Sequence, residues 1–174
     1  MTDSRGVVLE TARLRLREFT YDDADFLVAL LNDDDFRRNI GDRGVRTAAD
    51  ARRYLDEGPL TAYMAFGYGL WCVEERDGGR AIGICGLLRR DTLPHPDVGY
   101  ALLPSARGRG YAQEAVTGVL AHARTTLGFP RVVAIVSPGN VESARVLDAV
   151  GYHPSTLVVA APGADAVWLY VPRS

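Results

Sequence analysis

The stretch DVGYALLPSARGRGYAQEAVTGVLAHARTTLGFPRVVAIV, residues 97–136, determines the fold. Asp97 to Leu103 has the residue pattern of a strand, and the glycine-rich turn Arg107-Gly108-Arg109-Gly110 follows it. From Ala112 to Leu127, apolar residues repeat at three- and four-residue spacing, which is typical of an amphipathic helix. The run from Val132 to Val136 is apolar throughout, as in a strand buried on both faces. This order predicts a βαβ unit, in which a right-handed crossover joins two parallel strands.

Regular elements are also predicted on both sides of this unit. The alternation Arg13-Leu14-Arg15-Leu16-Arg17 is typical of a half-buried strand. Helices are expected after the capping residues Thr20 and Thr47, and the second is expected to end at Gly58-Pro59. The other expected elements are a short helix around Phe36–Ile40, a hairpin of strands near Gly69–Glu75 and Ala81–Leu88, a helix over Val141–Val150, and strands near Leu157–Ala160 and Ala166–Val171.

The composition indicates an ordinary globular protein. Of its 174 residues, 20 are basic and 22 acidic, and the net charge of −2 argues against a general nucleic-acid-binding protein. This length fits one domain over residues 1–174. No apolar run reaches the ~18–20 residues of a membrane helix, and the first residues lack a signal-peptide layout, so we expect a cytoplasmic protein without a membrane partner. Cys72 and Cys85 form neither a disulfide framework nor a zinc motif, and no metal is expected.

The turn from Arg107 to Ala112 carries the strongest chemical signal. It joins a strand to the start of a helix, where unpaired backbone N–H groups and the helix dipole favour an anion. Gly108 and Gly110 let the backbone approach a ligand closely. Arg107 and Arg109 oppose the dipole by roughly 0.3–1 kcal/mol each unless an anion lies near them. The turn therefore predicts a diphosphate ligand; the alternative is a glycine-rich turn with two solvated arginines.

Two common nucleotide-binding motifs do not fit this turn. All 20 basic residues are arginine, so the lysine of a P-loop is missing. A dinucleotide-binding motif would need a third glycine where Gln113 stands, and an acidic residue in the Val132–Ala134 region. Both nucleotide-binding interpretations are therefore rejected.

The sequence Arg107-Gly108-Arg109-Gly110-Tyr111-Ala112 instead resembles the Arg/Gln-x-x-Gly-x-Gly/Ala loop of the GNAT superfamily of N-acetyltransferases. The likeness continues in Val98-Gly99-Tyr100-Ala101-Leu102, in Gln113-Glu114-Ala115 and from Asn140 to Tyr152. This longer pattern is similar to the RimJ/RimL branch, which acetylates protein N-termini, and it covers essentially the whole chain. The resemblance implies a mixed, mostly antiparallel α/β sheet of about six or seven strands, with a central splayed parallel βαβ pair and helices on both faces.

The resemblance also implies acetyl-CoA as co-substrate. The pyrophosphate would be held by backbone groups of the loop formed by Arg107, Gly108, Arg109, Gly110, Tyr111 and Ala112. Main-chain groups of Ala101, Leu102 and Leu103, on a bulged strand, would pair with the pantetheine arm, to which Asn140 would also bind. The alternative role of Asn140 is to cap the following helix. In this branch, a serine at the position of Ser143 faces the cofactor sulfur, whereas the tyrosine acid of other members is replaced here by Leu147.

Asp97 occupies the place where this branch often has a glutamate, so it is a candidate base acting through water. The alternative is a strand-edge aspartate bonded to backbone. His95, His122 and His153 are weaker candidates, and the acidic run Asp33-Asp34-Asp35 is either a solvated surface or an attractor for a cationic acceptor. The acceptor-binding walls are expected from residues 32–46 and 155–165.

These observations predict an acetyl-CoA-dependent N-acetyltransferase (class EC 2.3.1), either monomeric or homodimeric. Its expected acceptor is a protein or peptide N-terminal α-amine, and otherwise a small-molecule amine, because an α-amine of pKa ~7.7–8.0 is partly neutral at pH 7. The alternative is a CoA-binding sensor or partner-binding module without turnover, which the missing tyrosine acid suggests.

Overall fold

The computed structural model describes residues 6–174, and this part of the chain contains eight strands, six α-helices and two short 3-10 helices, Tyr21–Asp23 and Pro104–Ala106. In chain order they are β1 (Val7–Glu10), β2 (Leu14–Arg17), α1 (Ala24–Leu31), α2 (Asp34–Asn39), α3 (Ala48–Glu57), α4 (Pro59–Phe66), β3 (Leu70–Glu75), β4 (Ala81–Leu88), β5 (Asp97–Leu102), α5 (Tyr111–Thr125), β6 (Ala134–Val136), α6 (Val141–Ala149), β7 (Tyr152–Val159) and β8 (Ala166–Pro172). None of these helices is long and apolar enough to cross a membrane.

The strands form two sheets that meet at one point. The first has the order β1-β2-β3-β4-β5 and the second β6-β8-β7, and all pairings within them are antiparallel. The sheets are joined by one parallel bridge, between Asp97 and Val133. There the Val98 N–H donates to the Val133 carbonyl at 2.9 Å, and the Val133 N–H donates to the Pro96 carbonyl at 3.0 Å. Beyond this bridge β5 and β6 diverge, and we call the gap between them the cleft.

Helices cover both faces of the first sheet. The amphipathic helix α5 buries Val116 and Val119 in a core that also contains Leu14 and Leu16 of β2. On the opposite face, α1 and α3 bury Leu27 and Leu55 in a second core, which includes Cys72 and Ile84 of the sheet. The predicted fold class, with a splayed central βαβ pair and helices on both faces, is confirmed.

Some elements differ from the prediction. The described residues contain eight strands rather than six or seven, because β1 pairs with β2 ahead of the predicted alternation. Gly58-Pro59 ends α3 but also begins α4, since proline is favoured in the first turn of a helix. The expectation of a bulged strand near residues 101–103 was wrong: β5 pairs with β4 in continuous register from Asp97 to Leu102.

Candidate active site in the cleft

The loop before α5 presents a row of free backbone donors. Gly108 and Gly110 have φ angles of +72° and +79°, a left-handed backbone conformation that residues other than glycine rarely adopt. Within residues 6–174, the N–H groups of residues 108 to 113 donate to no acceptor. These donors are at the N-terminus of a 15-residue helix, where an anion is stabilised.

The two loop arginines are paired with carboxylates. Arg107 donates to Asp33 Oδ2 at 2.5 Å, to Asp35 Oδ2 at 2.8 Å and to the Leu102 carbonyl at 2.9 Å. Arg109 Nη1 is 3.4 Å from Glu75 Oε1. The expectation that these side chains need an external anion was therefore wrong, since the chain supplies their counter-ions. The case for a bound pyrophosphate depends on the backbone donors instead.

Arg13 fixes the shape of the loop from outside. Its guanidinium donates to Glu114 Oε2 at 2.7 Å and to the Arg109 carbonyl at 2.9 Å. The same group lies 4.5 Å from the centre of the Tyr111 ring, whose hydroxyl donates to Glu75 at 3.1 Å. Because the Tyr111 side chain is buried, only its backbone is available to a ligand on the loop.

Along β5, the backbone N–H groups of alternate residues face the cleft. The Val98 N–H faces β6, and therefore those of Tyr100 and Leu102 do so as well. The Leu103 N–H instead donates to Ile82 at 2.8 Å, and Ala101 pairs with β4 on that same side. Of the predicted group 101–103, Leu102 thus presents its N–H to the cleft, and Tyr100 joins it.

Asp97 is buried where the two sheets meet. Only 1% of the residue is exposed, and its Oδ1 atom accepts a hydrogen bond from Arg90 Nε at 3.0 Å. Its Oδ2 atom is buried and has no hydrogen-bond partner in the described part of the chain. Burial raises the pKa of Asp97 above its ordinary value, although Arg90 acts in the opposite direction. The structure therefore places a carboxylate with one free, poorly solvated oxygen at the narrow end of the cleft.

Ser143 is on the other side of the cleft, in the first turn of α6. Its N–H donates to Asn140 Oδ1 at 3.2 Å, so Asn140 does cap the helix. Its hydroxyl is 2.6 Å from the hydroxyl of Tyr100, which also donates to the Ser143 carbonyl at 3.0 Å. Burial raises the pKa of Tyr100 to about 12. These contacts join three residues from both sides of the cleft.

Other candidates do not reach the cleft as free groups. Leu147 is fully buried in the core beneath α5, so no polar group replaces the missing tyrosine acid at that position. His122 packs edge-to-face on Trp71 at 5.6 Å, and burial lowers its pKa. His153 has a buried Nδ1 atom without a partner among residues 6–174, and Cys72 and Cys85 are buried thiols whose pKa is raised by burial.

Sequence reasoning missed the roles of Arg90 and Tyr100 around the candidate residues. Tyr100 was within the quoted motif, and its even spacing from Val98 and Leu102 signals the cleft-facing edge of the strand. Arg90 gave no such signal, because it precedes β5 in an irregular segment.

Comparison with known proteins agrees with this geometry. The family model described as acetyltransferase (GNAT) domain matches residues 13–153. A Bacillus subtilis protein named uncharacterized N-acetyltransferase YoaA is 28% identical over 148 residues, which is 84% of this chain and 82% of the relative. A solved structure of a putative GNAT-family acetyltransferase from Bordetella pertussis is 27% identical with a TM-score of 0.76, covering 97% of this chain and 100% of that one.

A third similarity concerns the fold alone. The structure of RimL, described as a ribosomal L7/L12 alpha-N-protein acetyltransferase in complex with coenzyme A, superimposes with a TM-score of 0.79 at 14% identity. The match covers 95% of this chain and 96% of that chain. This chain therefore shares its fold with RimL, and coenzyme A is bound in the RimL structure.

Proposed function

The chain belongs to the acetyltransferase (GNAT) family and is an N-acetyltransferase; on that premise we propose that its acceptor is the α-amine at a protein or peptide N-terminus, and otherwise a small-molecule amine. The observation that carries this proposal is Leu147, an apolar residue where other members of the superfamily have the tyrosine acid. Leu147 fills the position of the tyrosine acid and is fully buried. An enzyme without that acid is best suited to an amine that is already partly neutral.

We further propose that the chain binds acetyl-CoA along the cleft. The free N–H groups of residues 108 to 113 would hold the pyrophosphate, since they are the unpaired donors of a helix N-terminus. The outward N–H groups of Tyr100 and Leu102 would pair with the pantetheine arm and the thioester oxygen. Asn140 keeps its amide N–H donors for the ligand while its Oδ1 atom caps α6.

Asp97 is proposed as the base that removes a proton from the amine through a water molecule. Its Oδ2 atom is free to accept that proton, while Arg90 holds Oδ1 in place. A raised pKa brings a carboxylate closer to the range useful for general base catalysis.

Acetyl-CoA supplies, when bound, the acetyl group as a thioester whose thiol has a pKa near ~8.5. Ser143 is proposed to donate a hydrogen bond from its hydroxyl to the sulfur as the carbon–sulfur bond breaks, and it keeps its proton. The start of α6 favours a negative charge there, because its helix dipole is positive at that end. A hydrogen bond and a helix end suffice, since a thiolate leaves without full protonation.

The preference between amines follows from their protonation. At pH 7, about 10–15% of an α-amine of pKa ~7.7–8.0 is neutral, whereas a lysine side chain of pKa ~10.4 is neutral at about 0.04%. A buried aspartate with a modest driving force therefore handles the α-amine far more readily than the lysine amine.

The finer assignment completes the proposal. The motifs before and after the loop support a place in the RimJ/RimL branch, and one acetyltransferase domain over residues 1–174 is proposed to act in the cytoplasm as a monomer or homodimer. No metal takes part in this mechanism as written.

The test is CoA release with two matched peptides. One has a free N-terminus and no lysine, and the other has a blocked N-terminus and one lysine in the same sequence. We expect the free N-terminus to be acetylated at least tenfold faster at pH 7, and more rapid acetylation of the lysine peptide would overturn the proposed acceptor. A panel of small amines then decides between the peptide and a small-molecule acceptor.

A further inference from the structure

Tyr100 connects the two walls of the cleft through its contact with Ser143. It belongs to β5 of the first sheet, whereas Ser143 belongs to α6, which follows β6 of the second sheet. Its hydroxyl oxygen lies 2.6 Å from Ser143 Oγ and 3.0 Å from the Ser143 carbonyl oxygen. Because the described residues 6–174 join β5 to the second sheet by the bridge at Asp97 and Val133, this contact spans the gap where β5 and β6 have separated. We propose that Tyr100 is a positioning residue that orients the Ser143 hydroxyl toward the sulfur of CoA, an inference that rests on the proposed role of Ser143.

The single hydroxyl hydrogen of Tyr100 permits two arrangements. In one, Tyr100 donates to the Ser143 carbonyl and accepts the hydrogen of Ser143 Oγ. In the other, Tyr100 donates to Oγ, which leaves the serine hydrogen free for another acceptor. A thiolate beside Ser143 selects the second arrangement, because a hydrogen bond to a charged acceptor is about twice as strong as one between neutral groups. Tyr100 then polarises the serine hydroxyl and holds it in the productive rotamer.

Tyr100 orients rather than supplies the proton. With its pKa raised to about 12 and that of a thiol near ~8.5, the proton stays on Tyr100 rather than on the thiolate by about three orders of magnitude. No tyrosinate forms and no bond to Tyr100 is made or broken. The proton that the thiolate finally takes comes from solvent, into which Asp97 releases the proton taken from the amine.

Asn140 makes the arrangement more rigid. Its Oδ1 atom accepts from the Ser143 N–H in both arrangements, while the Tyr100 hydroxyl stays bonded to the Ser143 hydroxyl in both. The backbone and the hydroxyl of Ser143 are thus each held by a side chain. The bond to Asn140 is an ordinary helix cap, whereas the contact of Tyr100 with the Ser143 hydroxyl is not needed to start the helix.

The decisive readout is the pKa of the thiol in bound CoA, measured from the ultraviolet absorbance of the thiolate as pH is raised. It needs no acceptor, so it is independent of whether the acceptor has been identified correctly. The variants are Tyr100→Phe, Ser143→Ala and the double variant. The matched control is Tyr152→Phe, which removes another tyrosine hydroxyl bonded to a backbone carbonyl, that of Val132 at 2.8 Å, within the same core.

Tyr100→Phe is expected to raise the pKa of the bound thiol by about half a unit to one unit and to lower kcat three- to tenfold, with the Kd of CoA changed less than threefold. Ser143→Ala should give at least these effects, and the double variant no more than Ser143→Ala, since Tyr100 acts through Ser143. Tyr152→Phe should lose thermal stability without a change in the pKa of the bound thiol or in kcat.

Two results would overturn the proposal. One is a bound-thiol pKa in Tyr100→Phe equal to that of the wild type, and the other is a double variant whose effects are the sum of the two single ones. Failure of the acceptor assignment has a different signature, in which peptides are not acetylated while the bound-thiol pKa still responds to Tyr100→Phe.

Discussion

Arg107 and Asp33 fasten the loop after β5 to the start of α2, with 2.5 Å between Arg107 Nη2 and Asp33 Oδ2. The other end of α2 is fastened to the second sheet, because Ser137, just after β6, donates to the Asn39 carbonyl at 2.6 Å. The helix is therefore tied to the ends of both strands that border the cleft. Of the run Asp33 to Asp35, expected as a solvated surface or an attractor for the acceptor, Asp33 and Asp35 serve this attachment, whereas Asp34 is exposed.

The first prediction concerns this attachment. Arg107→Met keeps the length of the side chain but removes the guanidinium that Asp33 and Asp35 share. Arg107 is 29% exposed and Asp33 12%, so hydrogen bonds to charged groups are expected to be worth about 1.5–3 kcal/mol here. Thermal unfolding should show a loss of roughly 3–12 °C in Tm, at about 2–4 °C per kcal/mol for a chain of this size.

Arg38→Met is the matched control, because Arg38 binds the same Asp35 at 2.7 Å but is 67% exposed. Such exposed pairs contribute about 0–1 kcal/mol, so its Tm should change little. Equal losses in both variants would mean that the Arg107 contact does not fasten α2.

A second prediction tests the loop as the pyrophosphate site. Acetyl-CoA at a hundred times its Kd should add about 2.7 kcal/mol, a rise of roughly 5–10 °C in Tm. Gly110→Ala places a methyl group in a left-handed turn, 3.3 Å from the Arg13 guanidinium that positions the loop. We expect this variant to lose most of the acetyl-CoA-induced rise, measured by scanning calorimetry.

Gly128→Ala is the control for backbone strain. Gly128 has a φ of +74° and open space around its added methyl group, at the opposite end of α5. Both alanines should cost about 1–2 kcal/mol in the free protein, since both occupy the left-handed region. A full acetyl-CoA response in Gly110→Ala would show that the phosphates bind elsewhere.

Patterns local in the sequence predicted the frame of this site, whereas its contacts are not local. The periodicity of α5 and the glycine turn gave the βαβ unit, because both depend on residues a few positions apart. Tyr100 and Ser143 are 43 positions apart, and Arg107 is 74 from Asp33. No periodicity in the sequence indicates which distant side chains meet. The contacts of Arg107 with Asp33 and of Ser143 with Tyr100 were therefore found only in the structure.

Asp97 carries the third prediction. Asp97→Asn removes the base but keeps the shape, so kcat/KM for the amine should fall by about 10²–10⁴-fold at pH 7 if Asp97 is the general base. The loss should shrink as pH rises toward the pKa of the amine, which then loses its proton unaided. A pH–rate profile of both proteins checks this, with unchanged acetyl-CoA affinity as the control. Equal rates at pH 7 would leave Asp97 with a structural role only.

Asp97→Asn should lower activity but raise thermal stability. Because burial raises the pKa of Asp97, the folded state binds this proton more tightly than the unfolded state does. Its contribution to stability is full below the ordinary pKa of ~3.9 and is lost as pH rises through the raised value. Asp97→Asn should therefore gain Tm relative to the wild type between pH 4 and pH 7. A relative loss over that range would contradict the direction of the shift.

Asn140 has two candidate roles, and the fourth prediction separates them. Its Oδ1 atom caps α6 through the Ser143 N–H, while its amide N–H donors are proposed to bind the pantetheine arm. Asn140→Ser keeps a good helix cap but removes the amide donors, whereas Asn140→Ala removes both. The serine variant should therefore retain its Tm within about 2 °C, while the alanine variant should lose about 0.5–2 kcal/mol, or roughly 1–8 °C.

Both variants should raise the Kd of acetyl-CoA by the same factor, about 2- to 13-fold for one lost hydrogen bond of 0.5–1.5 kcal/mol. Isothermal titration calorimetry with acetyl-CoA provides the affinities, and thermal unfolding of the free proteins provides the stabilities. If Asn140→Ser binds acetyl-CoA as tightly as the wild type, Asn140 is a helix cap alone, and the pantetheine arm must be held by the edge of β5.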